Sequence, residues 1–253
     1  METAAEIRVG SGSGRIGSFT TARVERGRPT RAERHAARLR RDALRLGLEA
    51  PGRGEVERLL TDTARRALGC GDGMVRIEWS RVSSASPSLR AFARPLGDEP
   101  DRWRAGVART PHPGPGTRAH TKHVDVPAYD RAREEAGARG VDEVLLFDAN
   151  GRLVEGGRTN LLLVTADARL VTPDLELGPV EGLGLEIVRE NAPTVAPARL
   201  DLADVRAARE LIAVNAVRGV VPIVELDGEP VGDGAPGRWA RRLRAMFFVS
   251  RSA

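Results

Sequence analysis

The chain has 253 residues, 41% of them hydrophobic, and a formal net charge of +5, which supplies enough apolar material for one large domain or two modest ones. Its sequence pI is 10.6, yet 35 acidic residues accompany 40 basic ones and aromatics are only 4%, so basic runs interleaved with stacking residues are missing and nucleic acid is not an expected partner. Cys70 is the lone cysteine, which excludes an intrachain disulfide framework and points to a cytoplasmic location; no export pattern or run of about 18 apolar residues is seen, so secretion and membrane spanning are not expected.

Residues 18–24 are β-prone, and the string from Thr30 to Glu33 has the form of a capping box that opens a helix with the apolar stripe Ala36, Leu39, Ala43 and Leu46. Gly47 ends it. A second helical spacing runs through Val56, Leu59, Leu60, Thr63, Ala64 and Ala67, and 74–80 reads as a strand. The segment from Pro111 to Thr117 is too rich in proline and glycine to sustain helix or sheet, so it is read as the start of a linker. The expected organisation is a small α+β domain over 1–110, an interdomain linker over 111–121 and a larger domain over 122–253.

In the larger half, 128–139 reads as a helix and Glu143–Phe147 as a strand, followed by Asn150-Gly151, the strongest hairpin signal in the chain. Glu155 falls on the return arm. Further strands are predicted at Asn160–Val164, 210–214 and 219–226, with helices at 181–191 and Trp239–Phe248.

Of the 40 basic residues, all but Lys122 are arginine. A guanidinium keeps its proton and cannot attack a carbonyl, whereas a desolvated amine near other cations loses its proton and can form a Schiff base. Lys122 is therefore the candidate catalytic residue.

Lys122 followed by Glu155-Gly156-Gly157-Arg158-Thr159-Asn160 resembles the class IV aminotransferases, the fold-type IV pyridoxal-phosphate enzymes. The resemblance implies an α/β (α+β) fold of two domains, the small N-terminal one and a C-terminal pseudo-barrel, with pyridoxal 5'-phosphate as cofactor. It also implies that Lys122 carries the cofactor and that Glu155 keeps its ring nitrogen protonated, which lets the ring accept electrons. Arg34-His35-Ala36-Ala37-Arg38-Leu39 looks like the family's H-x-x-R-L helix, which gives Arg38 the cofactor phosphate. Gly182-Leu183-Gly184 and Asn215-Ala216 match two phosphate-contacting turns, so Leu183, Gly184 and Ala216 complete the candidate cofactor set. The family often has hydroxyls where this chain has Gly184 and Ala216.

Phe19-Thr20-Thr21-Ala22-Arg23-Val24, Lys122-His123 and Asn215-Ala216 are most similar to aminodeoxychorismate lyase, which implies release of pyruvate to give 4-aminobenzoate. An amino acid transaminase of the branched-chain or D-amino acid type is the alternative, and a non-catalytic or nucleic-acid-binding relative is the reading of another class. The family also implies a homodimer and a small amino-group substrate.

Weaker signals are read blandly. Gly12-x-Gly14-x-x-Gly17 has a dinucleotide-binding spacing but leads into a strand, and His120-x-x-His123 has no third metal ligand. No metal is expected. Tyr129, the sole tyrosine, is assigned to packing, and Arg118 is one of several arginines suited to a substrate carboxylate.

Overall fold

The computed structural model describes residues 14–98 and 100–249; Gly12 of the glycine-rich stretch lies outside the described residues. The first unit runs β1 (Arg15–Glu25), β2 (Arg28–Pro29), α1 (Ala32–Arg45), α2 (Arg53–Leu68), β3 (Gly73–Val82) and β4 (Ser88–Pro95). Its sheet is antiparallel, in the order β2-β1-β3-β4. Alternation along β1 and β3 turns Ala22, Val24, Val75 and Ile77 towards α1 and α2, where they pack with Ala36, Leu39, Val56, Leu60 and Ala64. Every one of these is fully buried, and each leucine or isoleucine among them contributes about 1.5–3 kcal/mol.

The capping box expected at Thr30–Glu33 does not form. Arg31 occupies the N-cap position in the left-handed region, with φ 53 and no side-chain cap. The Thr30 N–H is already spent on the Arg23 carbonyl at 2.8 Å, in the tight β1–β2 return that precedes the helix.

The second unit contains β5 (Trp103–Val107), α3 (Pro127–Arg139), β6 (Glu143–Phe147), β7 (Leu153–Gly156), β8 (Asn160–Val164) and β9 (Leu170–Pro173). It continues through α4 (Leu183–Asn191), β10 (Ala196–Ala198), α5 (Leu202–Arg206), β11 (Glu210–Asn215), β12 (Gly219–Leu226), β13 (Glu229–Pro230) and α6 (Arg238–Val249). The strands lie in the order β10-β9-β8-β11-β12-β5-β6-β7, with β13 alongside β12. β7, at one end, packs back on β8 and β9, so the sheet curls on itself.

β5 precedes the segment expected to be the linker, yet it pairs with β12 and β6. The chain thus passes from one sheet to the other between Pro95 and Trp103. Trp103 and Ala105 sit in the large core with Leu145, Leu161, Leu163, Leu211 and Ile223, and this burial draws β5 into the second sheet. None of the helices among the described residues is long and apolar enough to cross a membrane.

Candidate active site

Lys122 is held against the first unit by its own backbone. Its carbonyl accepts the Phe19 N–H at 2.9 Å, and the Val124 N–H donates to the Gly17 carbonyl at 3.0 Å, so residues 122–124 lie against β1 like an extra strand. On the other side, the Lys122 N–H donates to Asp42 Oδ2 of α1 at 3.0 Å. Only the side chain is left to turn outward, and its Nζ sits 4.8 Å from the centre of the Phe19 ring. Burial, reinforced by the charge of Arg38, lowers the Lys122 pKa to about 7, with Arg76 and Arg133 acting in the same direction and Glu155 opposing them. Near neutral pH a large share of this amine is therefore unprotonated.

Glu155 comes from the sequence-predicted hairpin. Gly151 takes φ +73 in the turn, and β7 returns antiparallel to β6 with Glu155 opposite Leu146. Its carboxylate is 3% exposed and surrounded by donors: Oε1 accepts from Tyr129 Oη at 2.5 Å and the Val180 N–H at 3.0 Å, while Oε2 receives only Asn160 Nδ2 at 3.4 Å. Oε2 is the oxygen with capacity to spare. Tyr129 is thus a hydrogen-bonding partner of the site as well as a packing residue, and burial beside Glu155 raises its pKa. His112, which the sequence reading passed over, places Nε2 3.0 Å from Tyr129 Oη and accepts the Gly114 N–H on Nδ1 at 3.0 Å.

A second acid fixes the loop that follows. Glu143 is buried, accepts from Thr159 Oγ1 at 2.8 Å and from the Arg158 and Val144 N–H groups, and has its pKa raised by that burial.

Arg38, the start of α4 and the turn at 215–218 meet on the α1 side. Arg38 is 5% exposed; Nε reaches Asp42 Oδ2 at 3.4 Å, while buried Nη2 has no hydrogen-bond partner among the described residues. An orphaned guanidinium nitrogen in a buried place calls for an anion. α4 begins at Leu183 behind Gly182 without a side-chain cap among the described residues, the setting in which the first helical N–H groups can receive an anion. Gly184 is required by proximity: a Cβ there would lie 2.8 Å from the Asn215 carbonyl carbon. Asn215 Oδ1 in turn accepts the Val217 and Arg218 N–H groups at 3.0 and 2.7 Å, which shapes the turn around Ala216. Arg23 of β1 reaches the same turn through the Val217 carbonyl at 3.1 Å.

These residues fit a phosphorylated pyridine aldehyde: an anion socket with an unsatisfied donor, an amine of lowered pKa and a carboxylate suited to a ring nitrogen. Arg38, Leu183, Gly184 and Ala216 would hold the phosphate, Glu155 the ring nitrogen and Lys122 the aldehyde. Arg118 instead donates to the Asp125 carbonyl at 2.8 Å, and His123 Nδ1 accepts the Asp125 N–H at 2.9 Å, so both shape the loop after Lys122. No group of three or more potential metal ligands is gathered among the described residues.

The family described as Amino-transferase class IV matches residues 17–226, most of the chain, and the protein belongs to it. A branched-chain-amino-acid aminotransferase of Pseudomonas aeruginosa is 27% identical over 120 residues, covering 46% of this chain and 39% of that protein. The stretch shared with a Methanocaldococcus jannaschii relative, 29% identical, likewise spans 41% of that relative's length. Among solved structures, a branched-chain aminotransferase of Thermoproteus uzoniensis with norvaline has a TM-score of 0.79 at 24% identity, covering 92% of this chain and 84% of that one. A Brucella abortus aminotransferase bound to the cofactor PLP has a TM-score of 0.80 at 20% identity, covering 98% and 95%. The fold is therefore that of the fold-type IV aminotransferases. These relatives favour the transaminase alternative over the aminodeoxychorismate-lyase reading drawn from the sequence.

Proposed function

We propose that the chain is a pyridoxal 5'-phosphate-dependent aminotransferase, of the branched-chain type, that moves an amino group from a small amino acid to a 2-oxo acid. The observation that carries this reading is the one lysine of the chain, half-buried, with its pKa brought down to about 7. When bound, the cofactor supplies an aldehyde that takes up the substrate's amino group and a ring that accepts the electrons released at Cα. Lys122 Nζ, with its pKa near 7, would take the proton from the substrate's Cα and hold it for return, the acid–base role of the reaction. Glu155 Oε2, which receives only Asn160 Nδ2 at 3.4 Å, would accept from the ring nitrogen and favour its protonated form. Arg38 and the first N–H groups of α4 would hold the phosphate.

A homodimer with the pocket near its interface and a division into a small and a large domain belong to the same proposal, the latter supported by the two separate sheets. The exposed free thiol of Cys70 supports the cytoplasmic location proposed with it. Incubation of the holoenzyme with leucine and 2-oxoglutarate, and separately with aminodeoxychorismate, tests the reading. Keto-acid formation without 4-aminobenzoate is expected; 4-aminobenzoate release without amino exchange would overturn it in favour of the lyase.

A further inference from the structure

The proline-rich stretch before Lys122 buries a histidine to which the chemistry at the lysine gives no task. His112 is 4% exposed, and its backbone N–H donates to the Phe147 carbonyl at 2.8 Å, which ties it to the end of β6 and so to the hairpin that carries Glu155. On the ring, Nδ1 accepts the Gly114 N–H at 3.0 Å. A nitrogen that accepts carries no hydrogen, so the ring hydrogen is on Nε2. Nε2 lies 3.0 Å from Tyr129 Oη and 3.4 Å from Glu155 Oε1, with the imidazole and phenol planes at 70°. The Nε2–H therefore donates to Tyr129 Oη, and the phenol hydrogen goes to Glu155 Oε1 at 2.5 Å.

We propose that His112 and Tyr129 are positioning residues for Glu155: a one-way hydrogen-bond relay, from the Gly114 N–H through the imidazole and the phenol, fills Oε1 and turns Oε2 to the ring nitrogen of the cofactor. The inference deepens the aminotransferase reading above and rests on it. Tyr129 Oη and the Val180 N–H both donate to Oε1, and donors of this kind favour the ionised carboxylate. Oε2 receives only Asn160 Nδ2, at 3.4 Å, and that amide also donates to the Val180 carbonyl at 2.8 Å. One oxygen is filled and one is open, and turning the carboxylate over would break both contacts at Oε1. Without the imidazole hydrogen, the phenol can point its own hydrogen elsewhere, and Glu155 then loses its shortest contact.

Fluorescence titration of the apoprotein with pyridoxal 5'-phosphate, and with its analogue carrying C–H in place of the ring nitrogen, reads the relay. Tyr129→Phe is expected to weaken the natural cofactor about tenfold, the scale of one hydrogen bond to a charged group, and to leave the analogue within about twofold. Equal losses for the two would overturn the proposal. His112→Gln lays its amide nitrogen over Nε2 and keeps the donor to Tyr129, whereas His112→Asn lays its amide oxygen over Nδ1 and keeps only the Gly114 contact. The relay predicts wild-type preference for the natural cofactor in H112Q and its loss in H112N. A loss in H112Q as large as that in H112N, or larger, would show that His112 serves only to fold this stretch. Should H112N not fold, Tyr129→Phe carries the same test. The apoprotein gives a second readout, because its one tyrosine yields an unmixed phenolate signal in the ultraviolet. Burial and then Glu155 raise the pKa of that phenol, so Glu155→Gln is expected to lower the pH at which it ionises. Adding His112→Asn should raise that pH again, since a donor to the phenolate is lost, and adding His112→Gln should not. A phenol that titrates alike in all these variants would sink the relay. Failure of the wild type to bind pyridoxal phosphate would instead sink the aminotransferase assignment, with the phenol titration still deciding whether His112 and Tyr129 act on Glu155.

Discussion

Asp42 Oδ2 accepts the backbone N–H of Lys122 at 3.0 Å across 80 positions of sequence, and the same oxygen lies 3.4 Å from Arg38 Nε. One fully buried carboxylate therefore couples the lysine loop to the arginine of the anion socket. Removing it strands a buried guanidinium and a buried N–H together. Asp42→Ala is expected to lower the stability of the cofactor-free protein by about 3–5 kcal/mol, read from denaturant melts. Asp42→Asn keeps an acceptor for the lysine N–H but not the charge, so a smaller loss is expected together with weaker cofactor retention. Equal losses in the two variants would show that the Lys122 contact contributes little.

What the sequence disclosed about this region follows from the range of the forces involved. Helical spacing in α1 and α2, the β-prone residues at 18–24 and 74–80 and the Asn150-Gly151 turn are local patterns, and each appears where it was read. Lys122 stood out because every other basic residue is arginine, and Glu155 because its string follows a hairpin. β4 and β5 were not legible: β4 is an edge strand with a largely exposed pattern, and β5 is five residues whose place depends on β12 and β6. Asp42 lies four residues beyond Arg38, a helical ion-pair spacing, but nothing local announces that the same Oδ2 also accepts the Lys122 N–H. His112 sits in a proline-rich stretch and becomes informative only when α3 brings Tyr129 beside it.

The amine at Lys122 offers a direct test through pH. Its pKa of about 7, lowered first by burial, means that the unprotonated fraction rises through neutrality rather than through the ordinary lysine range near 10.5. Uptake of pyridoxal phosphate by the apoprotein should therefore quicken as pH rises through about 7 and level off above it. Borohydride trapping followed by peptide mass analysis should place the adduct on the single lysine. Lys122→Arg should bind without trapping. A rate limb that stays near 10 would contradict the lowered pKa of this amine.

The two missing hydroxyls have different physical status. At Gly184 any Cβ would meet the Asn215 backbone at 2.8–2.9 Å and Val214 Cγ1 at 2.9 Å, so Gly184→Ser should destabilise the fold by about 1–3 kcal/mol through overcrowding and weaken cofactor binding. Ala216 is half-buried on the opposing turn, and Ala216→Thr restores a donor beside the anion socket. A gain of about 0.5–1.5 kcal/mol in cofactor affinity is expected there. Fluorescence titration of the apoprotein measures both. Improvement in G184S would mean that the α4 start stands farther from the Asn215 turn than the structure places it.

His35 makes the fold acid-sensitive from within. It is 1% exposed between β1 and α1, its Nδ1 lies 2.6 Å from Thr20 Oγ1, and its pKa is lowered to about 3 by burial and then by the charges of Arg38 and Arg31. The unfolded chain binds this proton near pH 6.5 while the folded chain does not. Stability present above pH 6.5 is thus lost as pH falls towards about 3, at up to about 1.4 kcal/mol per pH unit. His35→Gln removes this titration, so its unfolding free energy should vary less between pH 6.5 and 4.5 than that of the wild type, whatever its absolute value at pH 7. His123, lowered to about 4 chiefly by burial, remains to give the variant a residual slope of the same sign. Parallel pH profiles for wild type and His35→Gln in urea melts would show that His35 is protonated in the folded state, and would remove the neutral ring from beside Arg38.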